Sequence, residues 1–261
     1  MPIRLECALK LKRVPMKYFS SVTLSFLLAC SASVNAAKTQ TAEPCGARSL
    51  GFGQKAAGWA HLPLSKMKRD TDYSVVQEDG HTVLRGVADR SASLYVALLK
   101  PATGVPASMK WRWKTDALVP DADNRDKKRE DAPLRVLVAF DGDKTALPEE
   151  EQKRFQRAKS LTGRDAPYAT LMYIWGDHVP VNTAIPSAHT SQVKMLVVAS
   201  GSDGLGHWQS VQRNLAADYK RAFGVAPGRV LGVAVMTDTD NTGAKAIGEY
   251  ADISLDCAGG K

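Results

Sequence analysis

Six residues near the C-terminus hold the densest chemistry in the chain: Asp238, Thr239, Asp240, Asn241, Thr242 and Gly243. Two carboxylates, an amide and two hydroxyls leave directly from the apolar run 230–235. Such a group can ligate a cation, hydrogen-bond a polar ligand, or brace a turn by bonding its own backbone. Asp238, Asp240 and Glu249 fall at positions one, three and twelve of a calcium-loop pattern, with Gly243 at six. Position five is Thr242, neither acid nor amide, and a β-type run leads in where an EF-hand needs a helix, so an EF-hand is excluded. A calcium site in a β-protein loop, built from Asp238, Asp240 and Glu249, stays open beside the other two readings.

Standard catalytic signatures are missing. The chain has no Gly-x-Ser-x-Gly elbow, no glycine-rich phosphate loop, no His-Glu-x-x-His and no cysteine pair at zinc spacing. His178, His189 and His207 fall in expected loops and read as surface residues. A carboxylate pair for glycoside hydrolysis would have to come from Asp131, Asp141, Asp238 or Asp240, so a polysaccharide hydrolase or lyase is allowed and not indicated. Aromatic residues favour binding. Trp111 and Trp113 alternate with Lys110, Arg112 and Lys114 on one expected strand, and Tyr173 and Trp175 alternate on another. Flat rings beside carboxylates, amides and arginines suit a sugar, yet tryptophans on strands also fill sandwich cores. The candidate ligand set is Trp111, Trp113, Asp131, Arg135, Tyr173, Trp175, Arg213, Asp238, Asp240 and Asn241, with Arg135 or Arg213 as charge stabiliser.

The elements that must position these groups read mostly as strands. Short apolar or alternating runs separated by Gly, Pro and Asp predict strands over 82–85, 93–99, 109–115, 134–140, 170–175, 194–199, 230–236 and 250–255. That spacing argues for an all-β, jelly-roll-like antiparallel sandwich in a single domain over 51–257, preceded by an extension over 37–50. Two helices interrupt it. One spans 148–162, opened by Pro148 and acids, closed by Gly163, and resting on Phe155, Ala158 and Leu161; the other runs from the N-cap Asn214 to Gly224.

The first 36 residues have the layout of a signal peptide: Lys10, Lys12, Arg13 and Lys17 precede a short apolar core and the Val34-Asn35-Ala36 cleavage pattern. The core is too short to span a bilayer, so no transmembrane segment follows processing. An exported protein, periplasmic or secreted, is expected; Leu27-Leu28-Ala29-Cys30 offers the alternative of a lipid anchor on Cys30. Removing this segment discards five basic residues and one acid, which lowers the net charge from +8 to +4. A mildly positive surface suits a glycan or cell-envelope partner. Nucleic acid is excluded because bases and acids are interspersed, as over 125–131. Cys45 and Cys257 remain near the two ends of the processed chain; in an oxidising compartment they can close a bridge, and two separate buried thiols are the alternative.

A wider pattern joins these residues. Trp111-x-Trp113, Glu130-Asp131, Arg135 to Asp141, Tyr168 to Trp175, Arg213, Asp218-Tyr219, Phe223-Gly224, Val233 to Gly243 and Tyr250-x-Asp252-Ile253 resemble, in this order, the bacterial family of domain of unknown function 3047. The resemblance runs from about Gly51 to Leu255, and Met-Thr-Asp-Thr-Asp-Asn-Thr-Gly is its most specific element. It implies an exported jelly-roll-like sandwich of Gram-negative bacteria and no assigned activity or catalytic residue. Ala251 stands where the resemblance leads one to expect glycine, and the 148–162 helix is longer than the expected connection.

Overall fold

Alternation of apolar and polar side chains drives the chain into strands that bury one face, and two such sheets stack. The computed structural model describes residues 45–53, 58–78 and 80–257; the expected signal segment, Cys30 and positions 37–44 of the extension lie outside them. The first sheet contains β1 (Arg48–Ser49), β3 (Asp72–Glu78), β4 (His81–Asp89), β6 (Ser108–Lys114), β11 (Gln209–Arg213) and β13 (Lys245–Asp256). Its order is β11-β6-β13-β4-β3, with β1 added along the far end of β13. The second sheet contains β2 (Trp59–Pro63), β5 (Ser93–Thr103), β7 (Ala132–Phe140), β8 (Ala169–Gly176), β9 (Ala184–Pro186), β10 (Val193–Ser200) and β12 (Val230–Asp238), in the order β2-β5-β12-β7-β8-β10-β9. The fold is a mostly antiparallel β-sandwich, as expected. Among the described strands one pair, β8 with β10, runs parallel.

The core lies between the sheets. Trp111 and Trp113 of β6 are 1% and 0% exposed, and Tyr173 and Trp175 of β8 are 0% and 1% exposed. The two pairs meet across the sandwich, Trp111 against Tyr173 at 5.0 Å and Trp113 against Trp175 at 6.2 Å between centroids. Rings of this size bury about 150–250 Å² each, worth roughly 4–6 kcal/mol apiece at 25 cal/mol per Å². This corrects the groove reading: all four aromatics are spent on the core, because the sheet face they share is the inner one.

Helix α1 (Glu149–Thr162) is inserted between β7 and β8, with Pro148 as N-cap and Gly163 closing it at φ 70°. Phe155 and Ala158 face the protein as expected, but Leu161 is 82% exposed. Helix α2 (Leu215–Phe223) starts where Asn214 accepts from the Ala217 N–H and stops at Gly224. Its Tyr219 packs on Phe140 of β7. A disulfide joins Cys45 to Cys257, with Cα atoms 5.8 Å apart, so it fastens the chain entering β1 to the chain leaving β13. No helix among the described residues is long and apolar enough to cross a membrane.

Candidate functional site

The acidic turn forms where β12 leaves the second sheet and the chain crosses to β13 in the first. Asp131, one residue before β7, reaches it from the side. One Asp131 oxygen accepts from the Asn241 N–H (3.2 Å) and Nδ2 (3.1 Å); the other accepts from the Thr242 N–H and hydroxyl, each at 2.7 Å. Thr239 is held to the bend between β4 and β5: its N–H donates to the Ser91 carbonyl (3.1 Å), and its hydroxyl accepts from the Ser91 N–H (3.4 Å). Thr237 is bonded from three sides, its N–H to the Tyr73 hydroxyl, its carbonyl to the Thr71 hydroxyl and its own hydroxyl to Tyr250. Gly243 closes the loop at φ 71°, a conformation that favours glycine. Each polar residue of the motif therefore answers a named partner in the fold.

Two buried groups make the electrostatics. Arg135 (2% exposed) projects from β7 and Asp238 (4% exposed) from the paired β12. The Arg135 Nη2 lies 3.0 Å from an Asp238 oxygen and donates to the Glu130 carbonyl, while Nη1 rests on the sulfurs of Met172 and Met195. Lys68, from the loop between β2 and β3, pairs with Asp240. Oxygen atoms of Asp131, Asp238 and Asp240 lie within 4.8 Å of one another. Burial, reinforced by the neighbouring carboxylates Asp131 and Asp240 and opposed by Arg135, pushes the Asp238 carboxyl up to about 8. A proton on Asp238 also gives the buried Asp240 Oδ1, which has no partner, the donor it lacks.

The remaining expected residues are elsewhere. Glu249, assigned with Asp238 and Asp240 to a cation, is on the outer face of β13, where Lys114 holds it at 2.8 Å and Arg85 at 2.6 Å. The three-acid ligand set is therefore corrected: the third acid at the turn is Asp131, whose oxygens are taken by four hydrogen bonds. Arg213 is forked onto Asp218 at 2.8 and 2.7 Å, and Asp218 also accepts from the Tyr173 hydroxyl, so this arginine orders the start of α2. Asp141 follows the far end of β7, about 30 Å from Asp131 at the rise of an extended strand, and is paired with Arg229 at 2.6 Å. No carboxylate pair spans a cleft between those two.

Sequence reasoning missed the solvent face of the first sheet. The register places Lys114, Glu249 and Arg85 side by side on β6, β13 and β4. Glu78, at the end of β3, joins them by pairing with Lys114 and with Arg85 at 3.5 Å. At the edge, half-buried Trp208 has the Arg112 guanidinium 5.2 Å and the Lys114 ammonium 5.3 Å from its ring centroid. Arg112 also binds Asp252, which sits at φ 53° in the bulge of β13. The local signal was weak: Trp208, Ser210 and Gln212 alternate with Gln209, Val211 and Arg213, and each set holds one apolar residue, so the pattern does not say which face the tryptophan takes.

A triad-like group also proves empty of that chemistry. His61 Nε2 lies 3.0 Å from the Ser93 hydroxyl and 3.8 Å from Asp70. Serine and aspartate thus meet the same ring nitrogen, whereas a relay needs both nitrogens, and Ser93 is 0% exposed.

Comparison with known proteins gives a family and distant structural neighbours. No curated protein matches the chain. Among solved structures, it is similar to the Trichoderma harzianum endoglucanase 3 from family GH12, with 11% identity over 82% of this chain and 95% of that one and a TM-score of 0.38. It is also similar to the xyloglucanase domain of NopAA, a type three effector from Sinorhizobium fredii in complex with cellobiose, with 10% identity over 82% and 98% of the two chains and a TM-score of 0.37. The pattern that links the aromatic strands to the acidic turn has a family model of its own, "Protein of unknown function (DUF3047)", which matches residues 57–254, and the chain belongs to that family.

Proposed function

We propose that this protein is an exported, non-catalytic module that binds a polar ligand such as a polysaccharide, and that it does so through the solvent face of the first sheet. The observation that carries this reading is Trp208, half-buried beside Arg112 and Lys114 at the edge of a row of charged side chains. An aromatic plane takes the apolar face of a sugar ring, and the flanking Arg85, Lys114 and Glu78 offer donors and acceptors for hydroxyls. The buried Arg112 Nη2 has no hydrogen-bond partner, which leaves one donor to be satisfied there. Export is supported by the charged and apolar N-terminal layout and by the Cys45–Cys257 bridge, since such bonds persist in oxidising compartments.

Binding is favoured over hydrolysis by the state of the acids. Glycoside cleavage needs a carboxyl that keeps its proton near neutral pH beside an open groove. Hydrogen bonding from Lys114 holds Glu78 below its ordinary value, and Arg229 does the same for Asp141. Asp238 keeps its proton but is sealed behind Arg135. A glycan-array screen of the protein lacking residues 1–36 tests the proposal. Trp208→Ala should weaken the best glycan at least tenfold without lowering Tm by more than a few degrees. Asp240→Ala should keep the affinity and lower Tm. Equal binding by Trp208→Ala, or no glycan bound by the parent, overturns the reading.

A further inference from the structure

Helix α1 is an amphipathic insertion that roofs a pocket where a packed core would be expected. None of its residues is fully buried, and its N-terminal half is tied down by polar contacts to the loop between β9 and β10. Glu151 accepts from the Thr190 hydroxyl (2.8 Å), the Ser191 N–H (3.1 Å) and the Ser191 hydroxyl (3.0 Å), and Arg154 donates to the His189 carbonyl. Beneath these ties lies a space of about 240 Å³. Its walls are Phe155 and Ala158 from the helix, Ala166 and Pro167 from the following loop, and Thr170 and Val193 at the starts of β8 and β10. An apolar cavity of about 150 Å³ suffices for benzene, so this one suits a ligand on the order of ten non-hydrogen atoms.

The charges around it favour an anion. Glu151 is fully employed: burial raises its carboxyl, but the hydrogen bonds from Ser191 and Thr190 outweigh that and leave it below its ordinary value, ionised and already answered. His189 is matched by Glu130 at 3.3 Å. Arg154, 53% exposed at the mouth, gives Nη1 to the His189 carbonyl and has the Glu151 carboxylate at 3.9 Å from Nε, beyond hydrogen-bonding distance, so the rest of its guanidinium is left to face the pocket. An apolar floor with the Arg154 guanidinium at its mouth matches a small molecule with an apolar tail and one negative head.

We infer that the pocket under α1 binds a small amphiphilic carboxylate, its tail against Phe155, Ala158 and Val193 and its head facing Arg154. Isothermal titration of the whole protein with octanoate, octanol and octylamine tests this, with Tm measured for every variant. Octanoate should bind saturably and at least tenfold more tightly than either control. Arg154→Gln should bring octanoate down to the octanol level, and Ala158→Trp, which fills the space from the helix surface, should abolish binding of all three while the protein stays folded. No octanoate binding by the parent, equal affinity for octanol, or octanoate affinity unchanged in folded Ala158→Trp each overturns the assignment. Should Ala158→Trp fail to fold, Val193→Phe serves as the filling variant with the same expected loss. Glycan binding at Trp208 is a separate site, so either result leaves the other intact.

Discussion

The acidic turn and the outer face of the first sheet are both clusters of acids and bases, but one is closed and the other open. At the turn, Asp131 accepts four hydrogen bonds from the loop it holds, Arg135 and Asp238 are 2% and 4% exposed, and the threonines bond to three separate segments. On the sheet face, Arg85 is 40% exposed and Trp208 is half-buried. Similar side chains therefore do different work. A carboxylate whose lone pairs are answered by its own chain is part of the fold, whereas a charged row beside a half-buried ring at a sheet edge stays in contact with solvent.

This contrast can be broken by substitution. The largest effect is expected for Asp131→Ala, which strands four donors at once: a loss of about 3–4 kcal/mol, read as a fall in Tm of roughly 10 °C by calorimetry. A fall under about 1 kcal/mol would mean that the turn is held by other contacts. Gly248→Ala is next. A Cβ there would sit 2.4 Å from the Thr237 hydroxyl and 2.5 Å from the Pro133 carbonyl, so about 1–3 kcal/mol should be lost in urea denaturation. Asp238→Asn acts on the pH profile. The native carboxyl keeps a proton up to about 8 that the unfolded chain releases near 3.8, so this group's stabilisation is complete below 3.8 and is lost as pH rises through 8. The parent should lose stability from pH 5 to pH 8 and the asparagine variant should show a flatter profile; parallel curves would mean that Asp238 is ionised throughout. Trp208→Ala should cost least, about 0.5–1 kcal/mol, because only the contacts with Arg112 and Lys114 go.

Most of the frame was legible because it rests on local periodicity. The strand over 230–236 extends to Asp238, and that over 109–115 is Ser108–Lys114. The cap at Asn214 and the stops at Gly163 and Gly224 are where the residue types put them. What could not be read is which face of a strand turns inward and who meets whom at long range. The alternation of Trp111 and Trp113 is identical for a core and a groove; only the opposing sheet decides. Asp131 and Asn241 are 110 positions apart, and nothing local to either announces the other. Glu249 fits a cation loop by count, yet the pleat turns it to the side opposite Tyr250, where Arg85 and Lys114 claim it.

The bridge between Cys45 and Cys257 encloses a stretch with a sequence separation of 212. Topologically the sandwich is a closed ring, so a single proteolytic cut in any exposed loop, the one after α1 for example, opens the ring without releasing a fragment. Two cuts, or one cut and a reductant, are needed to shed a piece. The clasp thus separates being nicked from being lost, a form of durability that does not depend on how tightly the sheets pack.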